Sequence, residues 1–365
     1  MRKDPKIKLG IIFGGRSGEH EVSLTSAASV ISALDPEEYE ITAIGISKTG
    51  KLAGAAEVRD MLPPQLLPRI RIYPQEDGKQ TRSFLSGIRR DDPHSPEVVF
   101  PLLHGPYGED GTVQGLLEML GLPYVGCGVL ASAVGMDKDV MKRLFLQAGL
   151  PVAPFRTLHA REIEKNLDSV KKSVSRKLGY PMFSKPANLG SSVGVCKIHS
   201  DREFENSVKH SARFDSKVVI EKGIDGRELE CAILGNDAPQ ASVVGEVISA
   251  HEFYDYDAKY LSPDSRLEIP ARIDDKKVKE IRELALRSFK AIDGSGLARV
   301  DFFLERATGK VWINEINTMP GFTPISMYAK LWAASGLAFD ELVRCLVQFG
   351  LERFHEKNGQ QISIR

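Results

Sequence analysis

The chain has 365 residues, in which 49 lysines and arginines balance 49 aspartates and glutamates. That length exceeds what one core usually serves, and 42% hydrophobic with 27% charged residues excludes a disordered chain. Zero net charge gives no whole-chain attraction to nucleic acid or an anionic membrane, so neither is expected as a partner.

Residues 7–13 (IKLGIIF) form a short apolar run, as expected of a strand buried on both faces. The run is too short for a signal peptide core, and Arg16, Glu19 and Glu21 follow at once. A glycine turn, Gly14-Gly15-Arg16-Ser17-Gly18, leads into a helix over 22–34. Strands are predicted at 39–46 and 97–103, with 54–96 irregular between them. A helix over 112–120 is closed by Gly121 and Pro123. Residues 119–136 carry no charge, but four glycines and Pro123 break any membrane-spanning helix there. Alternating strands and helices predict a doubly wound, parallel α/β domain over 1–126.

One helix is predicted over 131–148, capped by Gly149 and stopped by Pro151, and a charged helix near 160–178. An apolar-to-glycine segment over 182–195 follows, then strands at 217–222, 227–234 and 240–248. A long loop, 251–270, precedes a periodic helix over 275–292. Strands at 297–305 and 311–316 form a hairpin, and helices over 327–335 and 338–354 end the chain. The expectation is an α/β first domain followed by two α+β lobes, 127–220 and 221–365. Cys127, Cys196, Cys231 and Cys345 are too scattered to chelate zinc and read as reduced thiols, so a soluble, cytoplasmic protein is expected.

The most informative cluster is Arg299, Asp301, Glu315 and Asn317. Glu315 and Asn317 are two apart on one strand and share a face. A five-residue connection with Gly309 in the left-handed region would set Asp301 opposite Glu315. Two carboxylates and an amide oxygen suit Mg²⁺ carrying a nucleotide's phosphates. The loop from Lys185 to Gly194 (KPANLGSSVG) lets backbone N–H groups approach phosphate, although no P-loop pattern is present. In Gly14–Glu21 the GxGxxG spacing of dinucleotide binders fails. Glu19 and Glu21 suit an ammonium-bearing ligand better than a pyrophosphate, which argues against a nicotinamide-binding domain. His104 ends a strand, where such sheets present ligands, although a lone histidine has an equally good structural reading.

Eight blocks, in order, resemble the D-alanine–D-alanine ligases of the ATP-grasp superfamily over nearly the whole chain. They are GGRSGEHEVSLTSA (14–27), LHGPYGEDGTVQG (103–115), GMDKDVMK (135–142), KPANLGSSVGV (185–195), EKGIDGRELE (221–230), FYDYDAKYL (253–261), ARVDFF (298–303) and NEINTMPGFTPISMY (314–328). The resemblance implies a two-lobed ATP-grasp fold, with ATP between the lobes and D-alanine as substrate. Lys138 and Lys185 would meet the phosphates and Glu221, Lys222, Ile224 and Glu228 the adenine and ribose, with Ser192 and Phe303 also binding ATP. Asp301, Glu315 and Asn317 would hold two Mg²⁺, with Mn²⁺ able to substitute. Glu21 would hold the first substrate's ammonium, with Ser191 and Tyr260 in the same hydrogen-bonded group. His104, Ser326 and Met327 would line the substrate site, and Lys259 would reach the γ-phosphate from loop 251–270, which would close out water. Arg299 and the Gly321 N–H would serve as oxyanion donors. A homodimer and a role in peptidoglycan precursor synthesis are also implied. The intact Tyr254-Asp255-Tyr256 and Lys259-Tyr260 favour a dipeptide product over D-alanyl-D-lactate or D-alanyl-D-serine, and a catalytically dead ATP-binding regulator is a further alternative. Ser184, where the family usually has an apolar residue, needs a partner if buried, and Leu189 stands where part of the family has an acid.

Overall fold

The computed structural model describes residues 5–73, 95–248 and 266–359, which carry three sheets. The first begins with β1 (Ile7–Gly14), β2 (Tyr39–Ile46), β3 (Ile70–Tyr73) and β4 (Val98–Leu102), in the order β3-β2-β1-β4 and parallel throughout. Leu9, Ile11, Ile12 and Phe13 are all fully buried, which explains why β1 reads as a continuous apolar run. Helices α1 (His20–Ala33), α2 (Ala55–Met61) and α3 (Thr112–Met119) accompany this sheet.

The expectation of an irregular stretch after residue 54 fails for its first part. Besides α2 it holds a 3-10 turn over Pro64–Arg69 and the edge strand β3. Only four residues long and half-buried, β3 is held by pairing with β2, which outweighs its weak local pattern.

The second sheet contains β5 (Phe155–His159), β6 (Met182–Pro186), β7 (Cys196–Ile198) and β8 (Lys217–Lys222), antiparallel in the order β5-β8-β6-β7. Ahead of it lie α4 (Val129–Met136) and α5 (Lys138–Gln147), where one continuous helix was expected. Asp137 breaks it: its backbone is extended, and its carboxylate accepts the N–H groups of Asp139 and Val140, capping α5. Two further helices, α6 (Ala160–Leu178) and α7 (Asp201–Ser211), pack on this sheet.

The third sheet is β9 (Gly226–Gly235), β10 (Gln240–Ile248), β11 (Arg266–Glu268), β12 (Gly296–Glu305) and β13 (Val311–Asn317), in the order β11-β10-β9-β12-β13. One face packs Leu229, Cys231, Ile233, Val300, Phe302 and Ile316 against α8 (Asp275–Ala291). Helices α9 (Met327–Ala334) and α10 (Phe339–Asn358) share a second core with β1, α1 and part of the sheet's other face, through Tyr328, Leu342, Val343, Ala232 and Leu297. That shared core brings the C-terminal ends of β1 and β4 beside the chain that leaves β13. Among the described residues no helix is long and apolar enough to cross a membrane.

Candidate active site

The cleft face of the third sheet carries an acidic row. Asp301 on β12 stands opposite Glu315 on β13 and, on its other side, opposite Glu230 on β9. The hairpin closes one residue tighter than the expected five-residue connection, since the Glu305 N–H donates to Lys310 O at 2.9 Å. A bulge then restores the register: Phe302 faces Ile313 while Asp301 faces Glu315, which leaves Asn314 unpaired in the ladder. The bulge sends Ile313 and Ile316 to the core and Glu315 and Asn317 to the cleft. Gly309 has the left-handed backbone (φ +67°) that the turn requires.

Asn317 Nδ2 donates to Asp301 Oδ2 at 3.0 Å, and Arg299 grips Asp301 with Nε and Nη2, both at 2.7 Å. Lys138 Nζ lies 3.6 Å from Glu315 Oε2 and donates to Leu189 O at 2.5 Å, tying the Lys185–Gly194 loop to the row. Burial alone would lower the Arg299 pKa, but Asp301 and then Glu230 outweigh it and hold the guanidinium well above its usual value. Among the described residues no three His, Cys, Asp or Glu side chains form a cluster able to hold a metal. The expected set has only two carboxylates, and its amide already reaches one of them. Two part-exposed carboxylates and one amide, balanced by Arg299 and Lys138, make a hard-oxygen donor set that fits Mg²⁺.

Beside the row lies a buried lysine pair. Lys142 and Glu221 side chains are 1% and 3% exposed and meet at 2.9 Å; Lys185 Nζ reaches the same carboxylate at 3.3 Å and Asn314 Oδ1 at 3.3 Å. Burial lowers the Lys142 pKa despite Glu221. Burial alone would raise the Glu221 carboxyl, but Lys142 and Lys185 pull it below its ordinary value. Lys142 and Asn314 were missed by the sequence reading. A signal for Lys142 was present: Lys138, Met141, Lys142 and Phe145 are spaced as one helix stripe, and two lysines in an inward stripe are unusual. Phe303 shares the cleft face, paired with Glu228 and Trp312. Lys222, the last residue of β8, is exposed, and Ile224 in the connection that follows is half-buried.

The Lys185–Gly194 loop turns sharply. Ser191 and Ser192 both take left-handed backbone (φ +49° and +58°), and the Val193 N–H closes the turn on Gly190 O at 3.2 Å. The buried hydroxyl of Ser184 donates to Ser207 O at 3.1 Å and accepts from Ser211 Oγ at 2.9 Å, so its polarity is satisfied. Ser211 Oγ also lies 2.7 Å from Gly194 O, at the end of the loop, so its single O–H has either oxygen as acceptor.

At the substrate end the structure separates two residues expected in one hydrogen-bonded group, Glu21 and Ser191. Glu21 lies in the first turn of α1 with its side chain 71% exposed, paired with Lys48 at 2.7 Å, and does not reach Ser191. Glu19 takes its place: its Oε1 accepts a hydrogen bond from Ser191 Oγ, and it sits beside Gly105. The inward stripe of α1 runs through His20, Ser23, Ala27 and Val30, which turns Glu21 outward with Thr25.

His104 is buried, sharing a 3.0 Å hydrogen bond with Ser26 Oγ and lying 3.3 Å from Met319 O and 3.4 Å from Glu109 Oε1. Burial alone would lower its pKa, but Glu109 raises it. Ser26 Oγ also accepts the Phe322 N–H at 3.3 Å, so the end of β4 and α1 grip the loop after β13. That loop carries Gly321, with open space beside its Cα, and Ser326, whose hydroxyl donates to Thr323 O at 2.7 Å. The Met327 side chain is buried in the core, so its backbone at the start of α9 is the part left to face a ligand. Lys259, Tyr260 and Tyr254-Asp255-Tyr256 lie outside the described residues.

Two family signatures cover most of the chain: D-ala D-ala ligase N-terminus matches residues 8–127, and D-ala D-ala ligase C-terminus matches 144–348. A D-alanine--D-alanine ligase of Heliobacterium modesticaldum is 49% identical over 362 residues, covering 96% of each chain. One from Thermoanaerobacter sp. (strain X514) is 47% identical over 360 residues, covering 96% of this chain and 98% of that protein. Among solved structures, the D-alanine-D-alanine ligase from Coxiella burnetii aligns with a TM-score of 0.79 at 36% identity, covering 97% of this chain and 96% of that one. The VanG D-Ala:D-Ser ligase from Enterococcus faecalis aligns at 0.80 and 34% identity, covering 95% and 100%.

Proposed function

Because this chain belongs to the D-alanine–D-alanine ligase family, we propose that it joins two D-alanine molecules to D-alanyl-D-alanine at the expense of ATP, for peptidoglycan precursors. The observation that carries this reading is the near-full-length identity, 47–49%, to ligases of that name. The division into 1–126, 127–220 and 221–365, a homodimeric state and a cytoplasmic location belong to the same proposal.

In the reaction, the carboxylate of the first D-alanine attacks the γ-phosphorus and ADP leaves, giving an acyl phosphate. The deprotonated amine of the second D-alanine then attacks the acyl carbon, phosphate departs with the C–O bond's electrons, and the proton the nitrogen loses goes to that phosphate. Lys138 and Lys185 lie where they can neutralise the phosphates, and Asp301, Glu315 and Asn317 would hold Mg²⁺. When bound, the metal would supply charge neutralisation to the phosphates. Glu221 with Lys222, Ile224, Glu228 and Phe303 would form the base and ribose side. Glu19, in place of Glu21, would receive the first ammonium, supported by Ser191. His104 walls that pocket, and Ser326 with the Met327 N–H would receive the second carboxylate. Arg299 and the Gly321 N–H would donate to the developing oxyanion. Removing one such donor typically costs about 10²–10³ in rate.

The test is incubation with Mg-ATP and D-alanine, with and without excess D-lactate or D-serine, recording ADP release and product masses together. D-alanyl-D-alanine formed in step with ADP, and dominant against both competitors, is the expected outcome. An ester or a D-alanyl-D-serine product as the main species would overturn the specificity, and ATP binding without turnover would support a regulator instead.

A further inference from the structure

The acidic row holds one carboxylate more than the proposed metal set uses. Glu230, 9% exposed in the middle of β9, faces Asp301 directly in the β-ladder. Arg299 bridges the two: its Nε lies 2.7 Å from Asp301 Oδ1 and 2.9 Å from Glu230 Oε2, while Nη2 is 2.7 Å from Asp301 Oδ2. The same guanidinium is the proposed oxyanion donor. Its place beside Asp301 therefore conflicts with that carboxylate's role as a metal ligand.

Arginine does not shed its proton in a protein, so the conflict cannot be relieved by titration. The two Asp301 oxygens offer about four lone-pair sites, of which Nε, Nη2 and Asn317 Nδ2 already take three, so a divalent cation meets a crowded carboxylate, and two cations so close repel. The guanidinium must yield Asp301 and still keep a buried counter-charge, because an unpaired buried charge is strongly unfavourable. Glu230 already touches Nε. Holding that one contact while the fork swings off Asp301 keeps Arg299 beside the row with its remaining N–H groups turned to the cleft.

We propose that Glu230 is a positioning residue that takes Arg299 over from Asp301 when the metal enters, freeing the ligand and aiming the oxyanion donor. Lys138 on Glu315 is the companion case, with Leu189 O as its second anchor. The inference rests on the proposed metal set, and the two can fail separately.

The test is Mn²⁺ binding to the enzyme–ADP complex, read by electron paramagnetic resonance, for wild type, E230A, E230Q, R299M and E230A/R299M, with D301N as control. Melting temperatures identify any variant that does not fold, and E230Q keeps the side-chain volume if E230A proves unstable. D301N is expected to weaken Mn²⁺ binding. E230A and E230Q should weaken it about tenfold, because Arg299 then stays on Asp301, and that effect should vanish in the R299M background, as coupling between contacting residues requires. Equal weakening in both backgrounds would overturn the proposal and make Glu230 a direct ligand. Unchanged Mn²⁺ binding in E230A and E230Q, with D301N weakened, would overturn it and leave Glu230 a structural residue. Wild-type binding in D301N would sink the metal reading beneath it.

Discussion

The acidic row on β9, β12 and β13 and the turn before α1 both bring carboxylates to one cleft, but they hold them differently. In the row, each side chain is placed by cross-strand register: Glu230, Asp301 and Glu315 line up because three strands pair, and a bulge at Asn314 adjusts the last of them. In the turn, Glu19 is placed by irregular backbone that follows two glycines with φ near +92° and +100°. It is held through its N–H, which donates to Ser17 Oγ at 3.1 Å, and by a hydroxyl from another lobe. A ladder fixes direction by repetition, so neighbours check one another. A turn fixes direction residue by residue, and two positions separate the engaged carboxylate, Glu19, from the solvated one, Glu21.

That contrast can be broken most directly in the row. E315Q should lower kcat by about 10³ or more if the row holds the metal, since charge stabilisation at such centres supplies several kcal/mol. Steady-state turnover at saturating Mg-ATP measures it, and a loss below tenfold would remove Glu315 from the metal set. The lysine pair beside the row gives the next largest effect. K142M leaves Glu221 with only the more distant Lys185 and should destabilise the fold by about 3–5 kcal/mol, as breaking a buried pair does. Urea unfolding reads this, and a change under 1 kcal/mol would show that the charge is relieved otherwise.

The turn is sharpened by comparing neighbours. E19Q should raise KM for D-alanine about tenfold or more, whereas E21Q, which removes only an exposed pair with Lys48, should stay within about twofold. Equal effects would mean that the turn rearranges when substrate binds. A smaller effect is expected from acid. The Glu221 pKa is depressed below its ordinary 4.5, so its pairing contributes stability in full above that value. The contribution is lost as pH falls from 4.5 through the lower folded value, and K142M should flatten that part of a melting-temperature profile. The smallest signal is chemical: burial pushes the Cys127 and Cys231 thiols up to about 11 and about 12, so neither should alkylate in the folded protein at pH 8.

The sequence by itself determined the doubly wound first part, the strands of the acidic row and the shared face of Asp301, Glu315 and Asn317. Strand alternation and apolar runs are local consequences of pleat and burial, and they survive whatever packs around them. It did not determine that Asp137 would interrupt a helix, since a capping carboxylate inside a helical pattern competes with propensity and only packing decides the outcome. The strand after residue 69 likewise exists because a neighbour pairs with it. The choice of Glu19 over Glu21 depended on where Ser191, 172 residues away, comes to rest. The roles of Lys142, Asn314 and Glu230 also came from tertiary structure, which brought charges distant in sequence into contact, where burial makes each charge depend on the others.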